Sequence, residues 1–450
     1  MKHRENALKI FDRAVEAVNP YSLVKESLLR ENNELVFSGI GDNLRVDLSE
    51  YERVFLVAVG KAACPMAKAA GEVLSDRLTE AIVVTKYDHL MPIKDLRVIE
   101  AAHPIPDNKS QEAARAVIEL AEKASEDTLV IFLISGGASS LLALPLSTEY
   151  VSLGLEDIKA TTSTLLACGA RIDEINCIRK HLSAIKGGRL AQAVYPARFV
   201  SLILSDVIGD PISSIASGPT VPDESSWQDA LDIVDKYSIR NSLPVSVVKL
   251  LEAGSRGDIK DTPSGEDECF KNGKSMIIGN NLRALLAAKK EAIHLGYEVM
   301  LLTDSIAGEA SQLGLFFASL ALGYNKDKAF DKPVCFIAGG ESTVTIRGRG
   351  KGGRNQEIAL SFAISLAEKE IYRDFAFLSG ATDGNDGPTD AAGGIIDRNV
   401  VDFIKKEYTL MSSMLYDNNS YYALQKAGAL LITGPTNTNV CDVQILLIDA

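Results

Sequence analysis

Short apolar runs alternate along the chain with longer amphipathic stretches, and this alternation predicts an α/β fold. The runs have strand length and are rich in β-branched residues. They lie at Val54–Val59, Ala81–Thr85, Thr128–Ser135, Arg198–Ser205, Ser275–Gly279, Glu298–Thr303 and Val334–Ala338. The stretches between them repeat apolar residues every three or four positions, as crossover helices do, at Ser110–Ala124, Asn281–Leu295 and Ala307–Leu322. We therefore predict mainly parallel sheets sandwiched by helices.

One polar segment interrupts this alternation. Residues Ala253–Lys274 are rich in Gly and Asp and have no hydrophobic period. We place the domain boundary there, which predicts a Rossmann-like N-terminal domain at 1–252, a connecting segment at 253–274 and a second α/β domain at 275–450. A length of 450 residues suits two large domains or about three ordinary ones.

Each predicted domain contains a strand that leads directly into Gly-Gly-x-Ser. The two segments are FLISGGAS at Phe132–Ser139 and FIAGGES at Phe336–Ser342. In open α/β sheets, ligands bind beyond the carboxyl ends of the strands. We therefore expect the active site in the cleft between the two domains.

Charge and composition exclude several classes of function. The 47 Lys and Arg residues against 60 Asp and Glu leave a net charge of -13, which disfavours binding to nucleic acid or to an anionic membrane. The N-terminus lacks the apolar core and cleavage site of a signal peptide, and no apolar run approaches the roughly 20 residues of a membrane span. The six cysteines are far apart and form no CxxC, so a disulfide framework or zinc site is not expected. We expect a cytoplasmic protein.

Two glycine-rich turns are candidates for binding phosphate. In VAVGK, a strand ends at Gly60 and Lys61 begins a helix, which presents free N–H groups beside a compact positive charge. In LISGGASS, Ser135, Gly136, Gly137 and Ser139 combine close backbone approach with hydroxyl groups. The alternatives are that Gly60 only turns the chain beside a solvated lysine, and that Ser139 only caps a helix.

A basic stretch at Asn176–Leu190, NCIRKHLSAIKGGRL, adds positive charge to an otherwise acidic protein. Such a patch points to an anionic small molecule. We assign Lys186, Gly187 and Gly188 to anion binding. We do not assign His181, because a single histidine on a helix is more often packed or solvated than catalytic.

Aspartates follow two other predicted strands. Asp206 ends a buried strand in SLILSDVIGDP, and Asp383 and Asp386 lie in LSGATDGNDGPTD. Carboxylates in this position hold Mg²⁺ or accept the proton of a substrate hydroxyl. The alternative is hydrogen bonding within turns. An EF-hand is excluded, because the twelfth position counted from Asp383 is Gly394.

The last motif is IRGRGKGGRNQE at Ile346–Glu357, before a predicted helix. It formally contains GxGxxG, yet its many basic side chains are atypical of a dinucleotide turn. Arg354 combines a planar guanidinium with a helix N-terminus, which favours a carboxylate or phosphate clamp. The alternative is a basic loop without a ligand.

Taken together, the motifs resemble those of the class II glycerate kinases, whose C-terminal half is called the MOFRL domain. In chain order they are VAVGKAA, AAHPIPD, LISGGASS, IRKHLSAIKGGRLA, SDVIGDP with ASGP, GGRNQE, SGATDGNDGPTDAAG and GPTNTNV. The resemblance spans nearly the whole chain. It implies a kinase that uses ATP and Mg²⁺ to phosphorylate D-glycerate to 2-phosphoglycerate. We expect no nucleic-acid or membrane partner, and a homodimer is compatible with the resemblance.

The resemblance, combined with the residue chemistry, gives three predicted sets of site residues. The catalytic set is Lys61, Arg354, Asp206 and Asp383; the nucleotide- or phosphate-binding set is Ser135, Gly136, Gly137, Ser139, Lys186, Gly187 and Gly188; the metal set is Asp206 and Asp386. Lys61 would stabilise the transferring phosphoryl group, and Arg354 would grip the glycerate carboxylate. Two alternatives remain open: a nicotinamide-dependent hydroxypyruvate reductase and a non-catalytic protein that binds sugar acids.

Overall fold

The computed structural model describes residues 2–93, 96–324 and 332–450. The helices are α1 Lys2–Glu16, α2 Pro20–Ser27, α3 Ala63–Leu74, α4 Asn108–Ala121, α5 Ala138–Leu141, α6 Leu155–Ala167, α7 Ile172–His181, α8 Arg189–Val194, α9 Trp227–Lys236, α10 Val245–Ser255, α11 Asn281–His294, α12 Ala310–Gly323, α13 Arg354–Ala367, α14 Arg398–Lys406, α15 Tyr408–Tyr416 and α16 Ser420–Lys426. Within the described ranges, none of these helices has the length and apolar character needed to cross a membrane.

The strands confirm the α/β class. They are β1 Leu28–Glu31, β2 Glu34–Gly39, β3 Asp42–Asp47, β4 Arg53–Val59, β5 Glu80–Lys86, β6 Arg97–Ala101, β7 Thr128–Ile134, β8 Arg198–Leu204, β9 Gly273–Gly279, β10 Glu298–Ile306, β11 Val334–Gly340, β12 Phe375–Ala381, β13 Gly393–Asp397, β14 Leu430–Leu431 and β15 Asp442–Ile448. They form two six-stranded sheets and one small three-stranded sheet.

The chain divides into two compact units, one of residues 20–279 and one of residues 1–19 with 280–450. This division differs from the predicted boundary at 253–274. Strand β9, which the sequence assigned to the second domain, pairs in parallel with β8 and completes the first sheet. A buried apolar run has the same pattern in either sheet, so the sequence alone could not show which sheet receives it.

The helix α1 also differs from its predicted place. Its buried face contains Ala7, Ile10, Phe11 and Ala14, and it packs on α11 and β12 of the second unit. The amphipathic pattern predicts one buried face, but it does not identify the surface that covers it.

The unit of residues 20–279 is built on a parallel sheet in the order β6-β5-β4-β7-β8-β9. All strand pairs of this six-stranded sheet are parallel, as predicted. Val59 of β4 lies opposite Ile134 of β7 at the carboxyl end of the central pair. Every residue of β7 is buried, as expected for a strand covered on both faces. A smaller core around Trp227 joins α6, α7, α9 and α10 in the same unit.

The other unit contains a mixed sheet in the order β10-β11-β15-β12-β13-β14. Only the β10–β11 pair is parallel among its described pairs, so the prediction of mainly parallel sheets is wrong for this unit. The last strand, β15, lies between β11 and β12 and runs antiparallel to both. Every residue of β11, β12 and β15 is buried. Such a strand is apolar whichever way it runs, so its direction was not visible in the pattern.

Candidate functional site

Two predicted turns meet at the carboxyl edge of the parallel sheet. Gly60 follows β4 with φ of 128°, and a Cβ atom there would lie 2.1 Å from Ser135 Oγ, so only glycine fits. The N–H of Lys61 donates to the carbonyl of Gly136 at 2.9 Å. These contacts fix the Lys61 turn against the turn that follows β7.

Ser135 has a different place from the one predicted. Its buried hydroxyl accepts a hydrogen bond from the N–H of Ala62 at 3.1 Å and donates to the carbonyl of Val59 at 3.4 Å. The hydroxyl therefore joins the two turns, and the predicted contact with phosphate is corrected to this internal role.

Gly136 and Gly137 fit the predicted anion site. Among the described residues, neither N–H has a hydrogen-bond acceptor. Gly137 has φ of 86°, and a Cβ atom there would lie 3.4 Å from the Lys61 side chain and 3.0 Å from the ring of His103. Two consecutive N–H groups beside a lysine side chain form a site suited to a phosphoryl group.

Lys186 is held against this turn by hydrogen bonds and also lines a neighbouring pocket. Its buried ammonium donates to the carbonyls of Ser139, at 2.5 Å, and Leu142, at 3.2 Å, and to the Ser139 hydroxyl at 3.0 Å. Burial, and then the neighbouring charge of Arg179, lower the pKa of Lys186 to about 7. All three N–H donors have acceptors within the protein, so Lys186 supports the turn in this structure, and the phosphate contacts of Lys186 and of the Ser139 hydroxyl stay predictions.

The backbone of Gly187 and Gly188 is also used internally. Their N–H groups donate to the carbonyls of Ser217 at 3.0 Å and Gly218 at 2.8 Å. Both glycines have positive φ, and a Cβ atom on Gly188 would lie 2.8 Å from the ring of Phe270. The two N–H donors therefore have acceptors within the protein in this structure, and phosphate binding by these glycines stays a prediction.

Asp206 follows β8, the strand beside β7. Because β4, β7 and β8 are neighbouring parallel strands, Lys61, Gly136 and Asp206 all follow strands at one edge of the sheet.

His181, which the sequence analysis left unassigned, is fully buried, with ring nitrogens 2.8 Å from the carbonyl of Cys177 and 2.9 Å from the carboxylate of Asp261.

In the other unit, Arg354 begins α13 and is held by two carboxylates. Its Nε and Nη2 atoms donate to Asp442 at 2.6 and 2.9 Å, and Nη1 donates to Glu341 at 2.5 Å. Burial lowers the pKa of Arg354, but the carboxylates of Asp442 and Glu341 outweigh this effect and raise the pKa overall. The predicted two-pronged grip on a substrate is therefore occupied by Asp442 in this structure.

Asp442, the buried partner of Arg354, was not among the predicted site residues. It begins β15, with Gly340 of β11 opposite on one side and Ala381 of β12 on the other. The predicted carboxylates all follow the ends of strands. Because β15 is antiparallel to β11 and β12, its first residue lies at the edge of the sheet where those two strands end. The signal was available, since the Asp directly precedes a buried apolar run in the GPTNTNV region.

Asp383 and Asp386 play different parts in the loop after β12. The carboxylate of Asp383 accepts a hydrogen bond from the N–H of Asn385 at 3.0 Å. The buried carboxylate of Asp386 accepts the N–H groups of Asn355 at 3.2 Å and Gln356 at 2.8 Å. Asp386 thus caps α13 in this structure, and its role as a metal ligand stays a prediction.

Burial raises the pKa of Asp386 to about 7, with repulsion from Asp442 as the next cause, although the two backbone N–H groups lower it in part. A carboxyl group with this pKa takes up a proton close to neutral pH. The N-terminus of α13 is therefore sensitive to pH.

The basic loop before α13 has a satisfied backbone. The N–H groups of Arg347 and Gly348 donate to the side chain of Asn418, and those of Arg349 and Gly350 donate to Asp417. The first two glycines of the formal GxGxxG therefore do not offer their amides to a pyrophosphate, which disfavours the nicotinamide-binding alternative.

Two family models match the chain, one in each half. Residues 6–252 match a family model described as a domain of unknown function, DUF4147, and residues 334–442 match the MOFRL family. The chain is 44% identical to the D-glycerate 2-kinase of Thermotoga maritima, over 98% of this chain and 97% of that protein. It is 39% identical to the glycerate 2-kinase of Pyrococcus horikoshii, over 100% of this chain and 98% of that protein. A crystal structure of glycerate kinase from Thermotoga maritima superposes with a TM-score of 0.83 and 42% identity, covering 99% of both chains.

Proposed function

The chain belongs to the family of glycerate kinases that carry a C-terminal MOFRL domain, and we propose that it transfers the terminal phosphoryl group of ATP to D-glycerate, giving 2-phosphoglycerate. The observation that carries this proposal is the 44% identity to a D-glycerate 2-kinase over 98% of the chain. Because this identity extends over both units, both have counterparts in that enzyme. Glycerate and a nucleotide are then the small-molecule partners.

The phosphoryl groups of the nucleotide bind at the edge of the parallel sheet. The N–H groups of Gly136 and Gly137 have no acceptor among the described residues, and the side chain of Lys61 lies beside Gly137. Phosphoryl transfer needs little covalent help from the protein and depends on fixed positive charge. The hydrogen bond from Lys61 N–H to Gly136 holds these donors in place before the nucleotide arrives.

Mg²⁺ fits this edge through Asp206. No group of three or more His, Cys, Asp or Glu side chains is arranged to hold a metal ion in residues 2–93, 96–324 and 332–450. Mg²⁺ usually takes only one or two carboxylates and completes its shell with water and substrate phosphate. Bound there, the metal would neutralise charge on the phosphoryl oxygens, and Asp206 would hold it.

Arg354 and Asp383 act on glycerate. Asp442 fixes one edge of the guanidinium, and the third donor, Nη1, contacts Glu341. Glu341 is 45% exposed whereas Asp442 is 1% exposed, so a substrate carboxylate displaces Glu341 and not Asp442. Asp383 accepts the proton of the attacking hydroxyl.

The test is a coupled assay for ADP release by the purified protein with ATP, Mg²⁺ and D-glycerate. We expect ADP release that requires both glycerate and the metal. A phosphorus NMR spectrum of the product then distinguishes 2-phosphoglycerate from 3-phosphoglycerate.

Other outcomes of the same assay identify the alternatives. No ADP release together with measurable glycerate binding would support a sugar-acid-binding protein and overturn the kinase. Oxidation of NADH or NADPH by hydroxypyruvate would support a reductase. We expect no such oxidation, because Asp417 and Asn418 already accept the amides of residues 347–350 in the basic loop.

A further inference from the structure

A pocket of about 380 Å³ opens beside Ser139 in the unit of residues 20–279. It lies among α5, α6, α7 and the turn at Pro104–Pro106. Its walls are mostly apolar and include Ile105, Leu144, Ile158, Leu166 and Leu182. Pockets of this size with apolar walls and a few polar groups are typical of sites for organic ligands.

The pocket adjoins the phosphate-binding turn. Ser139 and Ser140 line it, and Ala138 alone separates them in the chain from Gly136 and Gly137. The hydroxyl of Ser140 donates to the carbonyl of Pro104 at 2.7 Å. This hydrogen bond holds the wall at Pro104–Pro106 against α5. A ligand whose phosphoryl groups bind at Gly136 and Gly137 can therefore extend an apolar part into this pocket.

Arg179 supplies an unsatisfied donor at the wall of the pocket. Among the described residues it has neither a hydrogen-bond acceptor nor an ion pair, and burial lowers its pKa with no carboxylate to offset the effect. The neighbouring Lys180 is different, because its ammonium is paired with Asp223 at 3.0 Å. Arg179 is only partly buried, so its guanidinium can donate to a ligand that enters the pocket.

Two residues of α6 that carry hydroxyl groups also line this pocket. Thr162 and Ser163 line the pocket, and neither hydroxyl has a partner among the described residues. With Arg179, Lys159 and Lys186 they form a set of polar groups among the apolar walls. A planar heterocycle has this combination of features, because its faces are apolar and its ring nitrogens accept hydrogen bonds.

We propose that this pocket receives the purine base of the phosphoryl-donor nucleotide, with Arg179 donating to an acceptor atom on the edge of the base. The inference rests on the proposed function for the identity of the donor. Glycerate does not suit the pocket, because a small anion with two hydroxyl groups cannot cover the apolar walls. Nothing in the described part of the chain neutralises Arg179, so the electron-rich edge of the base supplies the missing acceptor.

The experiment compares two ligands that share their phosphates and differ in the base. ADP and inorganic pyrophosphate are titrated calorimetrically into the full-length protein without glycerate. We expect ADP to bind at least about tenfold more tightly, since tenfold corresponds to about 1.4 kcal/mol from burying the base. Equal affinities would overturn the proposal.

Substitutions that fill the pocket locate the base. Ser163→Trp places a large ring in the pocket from an exposed position on α6, and we expect ADP affinity to fall at least about tenfold while pyrophosphate affinity is unchanged. Ala160→Trp is the matched control, because Ala160 is exposed on the same helix and does not line the pocket. Leu166→Trp, also exposed and lining the pocket, replaces Ser163→Trp if that variant does not fold.

Arg179→Met tests the polar contact. We expect weaker binding of ADP and little change for pyrophosphate, with thermal unfolding recorded to verify that the variant is folded. Unchanged ADP affinity in the filled variants would overturn the pocket assignment while leaving the kinase intact. Conversely, the expected ADP pattern in a protein that never phosphorylates glycerate would refute the proposed function and retain the pocket.

Discussion

The edge of the parallel sheet and the start of α13 both combine cations with backbone amides, but they differ in how far these groups are satisfied. At the first, the N–H groups of Gly136 and Gly137 and the guanidinium of Arg179 have no acceptor among the described residues. At the second, Asp442 and Glu341 bind Arg354, and Asp386 accepts the amides of α13. The first region has donors left for an anion, whereas the donors of the second are bound by carboxylates of the protein itself.

The largest effect is expected on removing the charge of Asp442. Asp442→Asn leaves the buried edge of Arg354 without its ionic partner, and breaking a buried pair from one side costs about 3–5 kcal/mol. Urea unfolding measures the loss, and the assay for ADP release should show a lower kcat/KM because Arg354 is no longer oriented.

Glu341→Gln is the matched control at the same arginine. Glu341 is largely exposed, and an exposed pair contributes about 1 kcal/mol or less. Equal losses of stability in the two variants would show that the buried contact does not determine the position of Arg354.

At the open region, Lys61→Ala removes a charge from the transferring phosphoryl group. We expect kcat to fall by at least about two orders of magnitude with the fold intact, which is the scale of losing one preorganised group. Lys68→Ala is the control, because Lys68 is exposed on α3 and contacts the ring of Tyr21. Undiminished turnover in folded Lys61→Ala protein would remove Lys61 from the mechanism.

The smallest expected effect is a pair of opposite pH dependences. Asp386 has a pKa raised from 3.8 to about 7, so its contribution to stability is complete below pH 4 and is lost as the pH rises to 7. Lys186 has a pKa lowered from 10.5 to about 7, so its contribution is complete above pH 10.5 and is lost as the pH falls to 7. Together the two groups lower the free energy of unfolding most near pH 7.

Urea unfolding between pH 4 and 10 separates the two contributions. Asp386→Asn should flatten the acidic limb by at least ~1.4 kcal/mol, the equivalent of one pKa unit, and Lys186→Met should flatten the alkaline limb. If each variant lowered stability equally at every pH, neither group would titrate as assigned.

The sequence predicted those features that depend on local pattern. Apolar periodicity predicted the runs of β4 and β7. Glycine chemistry predicted the turn at Gly60, which has positive φ, and the candidate anion-binding pair Gly136 and Gly137. Lys61 and Asp206 stay predicted site residues, and the structure shows that they follow the buried strands β4 and β8 at one edge of the sheet.

The features that the sequence did not predict depend on partners far away in the chain. Lys186 donates to carbonyls 44 and 47 positions away, and the amides of Gly187 and Gly188 meet acceptors in another turn. Local composition identifies such groups as polar, but it cannot show that their donors are already used. The same limit hid the direction of β15, and with it the position of Asp442.

The place of α1 has a consequence for synthesis on the ribosome. This helix belongs with residues 280–450, so more than half of the polypeptide must be translated before its apolar face can be covered. Residues 20–279 can gather into their own unit during that interval. Anyone who wishes to express the second unit separately should therefore fuse residues 1–19 to residues 280–450, because a cut at the polar segment alone would leave the helix on the wrong fragment.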